Sequence, residues 1–376
     1  MNWLTGGAKH LITELADSGK RERAAQELIK LGAEAAPALI EALQTRDPNL
    51  LALYQQILVQ IGSAATPALT KNLRAAHPLV RGHICDIFGQ TKDRAAIPIL
   101  LETLRGEFYT VRAKALLALG NIGDPQTVSA LLPFLKDPEA MVRSCAATAI
   151  AKFRDPTTFD EIANVLLDDT DIEVRQAAAK ALGGTKHPAA LPYLMEALSD
   201  SFWWYGREQA ADVLLDAIES FREQAVELLL AALEHKEAAV RRFAARLLGR
   251  IKDPRAIESL GMTLYDLHHE VGRAAAEALS QFGGDSLEVL AEAALHPEPG
   301  IRQNVVAALG KIQDARVTPI LLEMIHDSDR SIQMEVVKSL MNLKDNRAVP
   351  ALREIAASRA DREMAALAKQ ALQSIQ

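Results

Sequence analysis

Asp168-Asp169-Thr170-Asp171-Ile172-Glu173-Val174-Arg175-Gln176-Ala177-Ala178-Ala179-Lys180-Ala181-Leu182-Gly183 is the stretch whose reading decides the fold. An acidic turn leads into a Val-Arg pair, an alanine-rich apolar stripe follows, and a glycine closes it. Val174, Ala177, Ala178, Ala181 and Leu182 fall at i, i+3, i+4, i+7 and i+8, the spacing of one buried helix face. Alanines on that face let a neighbouring helix approach closely. Gly183 is placed to take the left-handed conformation that ends a helix. The same string recurs at Val111-Arg112 to Gly120, Val142-Arg143 to Ala151, Val240-Arg241 to Gly249 and Ile301-Arg302 to Gly310. A unit repeated in this way stacks on copies of itself.

A second helix type alternates with the first. Its mark is a proline near the start, at Pro37, Pro67, Pro98, Pro192, Pro319 and Pro350, with gaps of 30, 31, 94, 127 and 31 residues. The long gaps are close to three and four periods of about 31, so repeats without the proline lie between. Proline in the first helical turn removes an N–H that has no partner there anyway. This proline-marked helix is helix A, and the Val-Arg helix is helix B. In one repeat Ile97, Leu100, Leu101 and Leu104 form the apolar face of helix A; another copy runs from Val128 to Leu135. Between helix B and the next helix A stands a turn such as Gly123-Asp124-Pro125, Arg154-Asp155-Pro156 or Lys252-Asp253-Pro254. Asp before a helix caps free N–H groups, and Asp-Pro initiates turns.

The chain of 376 residues exceeds the size at which one compact core normally divides, but a stack escapes that limit because each unit packs only on its neighbours. Length over period gives about twelve units. The expected fold is all-α, a right-handed α-solenoid of about twelve two-helix repeats. It is expected to form a single domain over 1–376, with 1–17 and 361–376 as capping helices, helix A on the convex layer and helix B on the concave one. Only 5% of residues are aromatic, as suits helices packed through Ala and Leu.

The period, the alternating helices, the Asp-Pro turns and the Val-Arg…Ala-Ala…Leu-Gly string resemble the short HEAT-like repeats of the phycobilisome lyase type over nearly the whole chain. The resemblance implies the fold. It leaves function open, because related repeats serve bilin lyases, a hydroxylase and many scaffolds. The Thr-Pro-Leu-His and Trp-Leu-Gly-Tyr signatures of ankyrin and tetratricopeptide repeats, whose periods are ~33–34 residues, do not occur.

Three features are candidate functional sites. Arg81, Arg112, Arg143, Arg175, Arg207, Arg241, Arg273 and Arg302 place one arginine in each of eight repeats. Such a row is either an anion-binding groove for phosphate, carboxylate or propionate groups or a structural ladder. Asp137 and Asp169, six residues before their arginines, favour the ladder, with each guanidinium bonded to a neighbouring acidic turn or to free helix carbonyls. The second feature is Phe202-Trp203-Trp204-Tyr205, which replaces a polar turn and the start of a helix B. Four consecutive aromatics cannot all face one helical stripe. Together with Arg207 they form the candidate partner-binding site, the competing reading being an irregular joint between two half-stacks. Third, His235, His268, His269, His296 and His326 recur near successive A–B turns. Equivalent turns carry Asp137, Asp169 and Asp200, so histidine stands in for another turn-forming residue. Repeats spaced ~10 Å apart cannot share an ion held at ~2 Å, so no metal is expected. His269-Glu270 is the sole His-Glu pair in the chain, too few for the di-iron ligand set of deoxyhypusine hydroxylase, which has similar repeats.

The formal charge of −7 speaks against nucleic acid, including the HEAT-like DNA glycosylase reading, since that binding needs a broad basic footprint. No stretch approaches the ~20 apolar residues that cross a membrane, and the expected location is cytoplasmic. Cys85 and Cys145 fall in different helices and read as small core residues. Nucleotide-loop, nucleophile-elbow and zinc-helix motifs are missing from the sequence, so no catalytic residue and no cofactor is assigned. The expected function is a non-catalytic scaffold docking a protein partner on the concave face and the A–B turns. The alternative, by resemblance, is a bilin lyase-like or lyase-chaperone subunit handling a tetrapyrrole-carrying protein.

Overall fold

The computed structural model describes residues 2–203, 208–358 and 361–375, which are helical with short connections and contain no strand. The fold is an α-solenoid. The chain divides into two compact units, Met1–Leu194 and Met195–Gln376.

In the first unit, B helices Pro78–Thr91, Tyr109–Ile122, Ala140–Ala151 and Ile172–Thr185 stack in succession. In the second, Ala238–Ile251, His269–Ser280, Pro299–Leu309, Arg330–Leu343 and Arg362–Ile375 do the same. A second row of shorter A helices packs alongside in each unit, among them Thr66–Ala75 on Ile97–Thr103, and Ala256–Thr263 on Leu287–Ala293. The core lies between the rows. Val174, Ala178, Ala179 and Leu182 of one helix B are wholly enclosed, as are Leu100, Leu166 and Leu260 of A helices. The buried face of Ile172–Thr185 is wider than the periodicity predicts, because B helices contact neighbours on two sides. Ala179 is buried, whereas Ala177 is half-buried.

The glycine that closes the repeated string has a different role from the expected one. Gly183 lies inside Ile172–Thr185, and the left-handed residue comes three positions later, at Lys186 (φ 50°). Gly123, Arg154, Lys252 and Lys344 hold the equivalent places. The string's glycine instead permits contact between stacked B helices: a Cβ on Gly249 would stand 2.7 Å from the Ala278 Cα, and one on Gly120 would stand 2.8 Å from the Ala149 Cα. Asp93, Asp124 and Asp155 accept the backbone N–H two residues on, at 2.9, 3.0 and 3.0 Å, capping the turn into helix A as the sequence leads one to expect. A short 3₁₀ turn intervenes there, such as Arg94–Ala96 or Pro156–Thr158. The helix expected from Val128 to Leu135 is α-helical only over Val128–Leu131 and tightens to 3₁₀ over Leu132–Lys136. Pro133 explains the change, since it supplies no N–H for the α-helical ladder.

Candidate partner-binding surface

The edge carrying the A–B turns is where charge and exposed apolar surface meet. Each of these turns leaves orphan carbonyls at the end of helix A, and the arginine of the following helix B reaches back to them. Arg112 Nη1 donates to the Gly106 and Glu107 carbonyls at 3.0 and 3.1 Å. Its Nε and Nη2 donate to both Asp137 carboxylate oxygens in the next repeat at 3.2 and 3.1 Å. The pattern recurs at Arg143 with Asp169, Arg241 with Asp266 and Arg302 with Asp327, with Nε–Oδ2 distances of 2.6, 2.6 and 2.7 Å. Each of these three aspartates also accepts the backbone N–H two residues on. Arg175 donates from Nε to the Asp169 carbonyl at 2.6 Å, and Gln333 serves the same turn position by donating to the Asp327 carbonyl.

These pairs are largely shielded from water, the side chains of Arg302 and Asp327 being 10% and 7% exposed. The Arg302 hydrogen bonds hold the Asp327 carboxyl below the usual carboxylate range against the opposing effect of burial. For Asp169 and Asp266 burial pushes upward most strongly, and the arginine and backbone N–H groups together reverse it, leaving both lowered. Arg143, Arg241 and Arg302 are correspondingly raised by their aspartates. At Arg112, Arg143, Arg241 and Arg302 the donors are therefore directed at protein acceptors.

Two arginines depart from this row. Arg273 is one residue out of register: Gly272 follows Val271 where arginine follows valine elsewhere, and a Cβ there would stand 2.8 Å from the Leu264 carbonyl. Arg273 is half-exposed and donates to Glu270, one turn back, at 3.2 Å. Arg81 keeps the register, but Gly106 stands where the partners of Arg112, Arg143, Arg241 and Arg302 are aspartates.

Of the aromatic cluster, Phe202 and Trp203 are described, whereas Trp204, Tyr205 and Arg207 lie outside the described residues. Trp203 is fully buried and meets the half-buried Phe202 edge-on at 6.0 Å. The Trp203 ring is therefore packed inside, and the expectation that at least one of Trp203 and Trp204 is exposed turns on Trp204, outside the described residues. Among the described residues the Trp203 indole Nε1 finds no acceptor.

The histidines occupy turns in two ways. His235 and His296 accept the N–H of Glu237 and Glu298 through Nδ1, both at 3.1 Å, as aspartate does elsewhere. His268 and His326 flank an aspartate that takes that place. No grouping of three or more metal-ligating side chains occurs among the described residues.

What the periodicity reading missed is exposed apolar surface. In the second unit Leu267 is 99% and Leu295 77% exposed, on consecutive A–B turns. Met262 and Tyr265 lie exposed beside them, and the Tyr265 ring packs on that of His296 at 5.1 Å, joining the two turns. In the first unit Leu79, Phe108, Tyr109 and Met141 are exposed at the starts of three consecutive B helices. The available signal was an apolar residue where sister turns carry polar ones. No helix among the described residues is long and apolar enough to cross a membrane.

The stacked hairpins and the Arg–Asp ladder define a two-helix repeat solenoid. HEAT repeats match residues 66–144, 128–215, 214–280 and 287–373, and the chain belongs to that family. The PBS lyase HEAT-like repeat matches residues 20–45. No curated protein sequence matches the chain. Among solved structures it is similar to Kap121p, at TM-score 0.57 and 13% identity over 100% of this chain and 50% of that one. It is similar also to the karyopherin Kap121p bound to the extreme C-terminus of the protein phosphatase Cdc14p (TM-score 0.59, 12% identity, covering 100% and 51%). A third is Kap121p bound to Nup53p (TM-score 0.59, 13% identity, covering 100% and 50%). The chain spans about half the length of these karyopherin chains, and the likeness is one of fold.

Proposed function

We propose that this protein is a non-catalytic scaffold that docks a protein partner on its A–B turns and the adjoining helix B face. The observation that carries the reading is the apolar run Met262, Tyr265, Leu267 and Leu295 along one edge of the second unit. Lone exposed leucines need no explanation, but several on adjoining turns, rimmed by charged side chains, have the character of an interaction surface. The similar solved structures add support, since Kap121p is bound to the extreme C-terminus of Cdc14p in one and to Nup53p in another. Capture of partners from the native host by the wild-type chain, compared with Leu267→Glu and Leu295→Glu, tests the reading. Loss of the same captured protein from both variants, with thermal melts unchanged, is the expected result. Equal capture by all three chains would remove this edge as the docking surface.

A second reading rests on the PBS lyase HEAT-like match at 20–45: a bilin lyase-like or lyase-chaperone subunit. New visible absorbance on mixing with an open-chain tetrapyrrole would favour it. An unchanged spectrum would leave the scaffold reading alone.

A further inference from the structure

We infer that the turn at Gly106 is a slot for a carboxylate carried by a docked protein segment. This rests on the scaffold reading and names the partner's chemistry at a second place, in the first unit.

The ladder supplies the argument. In four repeats an arginine of helix B receives a carboxylate 25 or 26 residues further on. For Arg81 that position is Gly106. The rest of the turn keeps the ladder's form: the Gly106 carbonyl accepts from Arg112 Nη1 at 3.0 Å, as the Asp137 carbonyl accepts from Arg143 Nη1 at 2.9 Å. The missing part is the acid. A Cβ built on Gly106 would stand 3.5 Å from Arg81 Nη2, so the guanidinium faces the place where sister turns hold aspartate. Arg81 is half-buried, and its Nε is enclosed without an acceptor. Among the described residues it forms no ion pair. Glu102 and Asp137 are engaged elsewhere: Glu102 binds Arg74 at 3.2 and 2.8 Å, and Asp137 binds Arg112.

Arg81 thus carries a charge without a carboxylate in a half-buried place, and a carboxylate from a docked segment would supply the charge-assisted contact through the Nη side of the fork, which faces Gly106. Leu79, Phe108 and Tyr109, close by in sequence, are exposed. A segment bearing Asp or Glu beside a large apolar residue therefore matches both the orphan guanidinium and its apolar surroundings.

The test uses the full chain and displayed random peptides, followed by synthetic peptides measured by fluorescence anisotropy. Selected sequences should carry an acid next to Leu, Phe, Tyr or Trp. Arg81→Gln should weaken them roughly tenfold or more, the scale expected when a shielded charge pair is broken. Gly106→Asp should weaken them comparably by filling the slot from within, while raising the thermal midpoint because Arg81 gains its missing partner. That gain separates blocking from misfolding. Amidating the peptide's acid should lose the same factor as Arg81→Gln, and combining the two should lose little more. Peptides without an acid, or acidic peptides indifferent to both variants, overturn the slot while leaving docking at the Leu267–Leu295 edge intact. Full competition by millimolar inorganic phosphate would also overturn it, showing an unspecific anion site. If the chain retains no protein or peptide at all, both readings fall together.

Discussion

Breaking one rung of the ladder is the most direct probe of what holds the stack together. Arg302 donates to Asp327 at 2.7 and 2.8 Å and to the His296 and Pro297 carbonyls, both at 2.9 Å. Arg302→Ala removes all four bonds and leaves a carboxylate that is 7% exposed with no counter-charge. Exposed ion pairs contribute ~0–1 kcal/mol, but removing one partner of a shielded pair costs ~3–5 kcal/mol. The Asp329 N–H still serves the stranded carboxylate at 2.8 Å, so the lower half applies and the expected loss is ~3–4 kcal/mol. Urea unfolding followed by circular dichroism reads the global effect. Hydrogen exchange at amides of Pro299–Leu309 and Arg330–Leu343 reads the local one, which matters because repeat arrays need not unfold in one step. Arg302→Met combined with Asp327→Leu should recover part of the loss, since an apolar pair leaves no charge stranded. A loss below ~1 kcal/mol, or strictly additive single variants, would refute the claim that the rung is shielded and coupled.

Further outcomes follow from other parts of the structure. Asp169, Asp266 and Asp327 are held below their ordinary range when folded, so their stabilisation is full above the unfolded carboxylate value near ~4 and declines as pH falls through the lower folded values. The thermal midpoint should drop in acid, and Asp327→Asn should flatten part of that drop; a wild-type midpoint constant from neutrality down to about pH 3 would contradict the sign. Burial pushes the Cys85 thiol up to about 12, so Ellman's reagent at pH 8 should titrate it in a Cys145→Ala chain only after denaturant is added, and rapid labelling of that native chain would show the packing to be wrong. Gly249→Ala forces a Cβ to 2.7 Å from the Ala278 Cα and should cost ~1–3 kcal/mol. Gly184→Ala, in a helix with nothing within 4 Å, should instead stabilise by ~0.4–1 kcal/mol; equal effects at the two glycines would refute the assignment of close helix approach.

The sequence by itself determined the repeat, the alternation of the two helices and the capping aspartates, because these depend on contacts between residues a few positions apart. The period of about 31 follows from strings such as Val174-Arg175 and Val240-Arg241, and residues 66–280 and 287–373 carry HEAT repeats as the strings imply. Tertiary structure decided what each special residue does, because those roles depend on the neighbouring repeat, a full period away. Gly249 reads as a helix terminator until Ala278 is seen against it. Trp203 is one of four consecutive aromatics whose directions the sequence leaves open, and its neighbours in space enclose it. Arg273 belongs to the row by composition and leaves it by a single residue of register, enough to turn a side chain about 100° around a helix of 3.6 residues per turn. Arg81 looks like every other rung in one dimension. Only the fold brings it to Gly106 and shows that its carboxylate is missing.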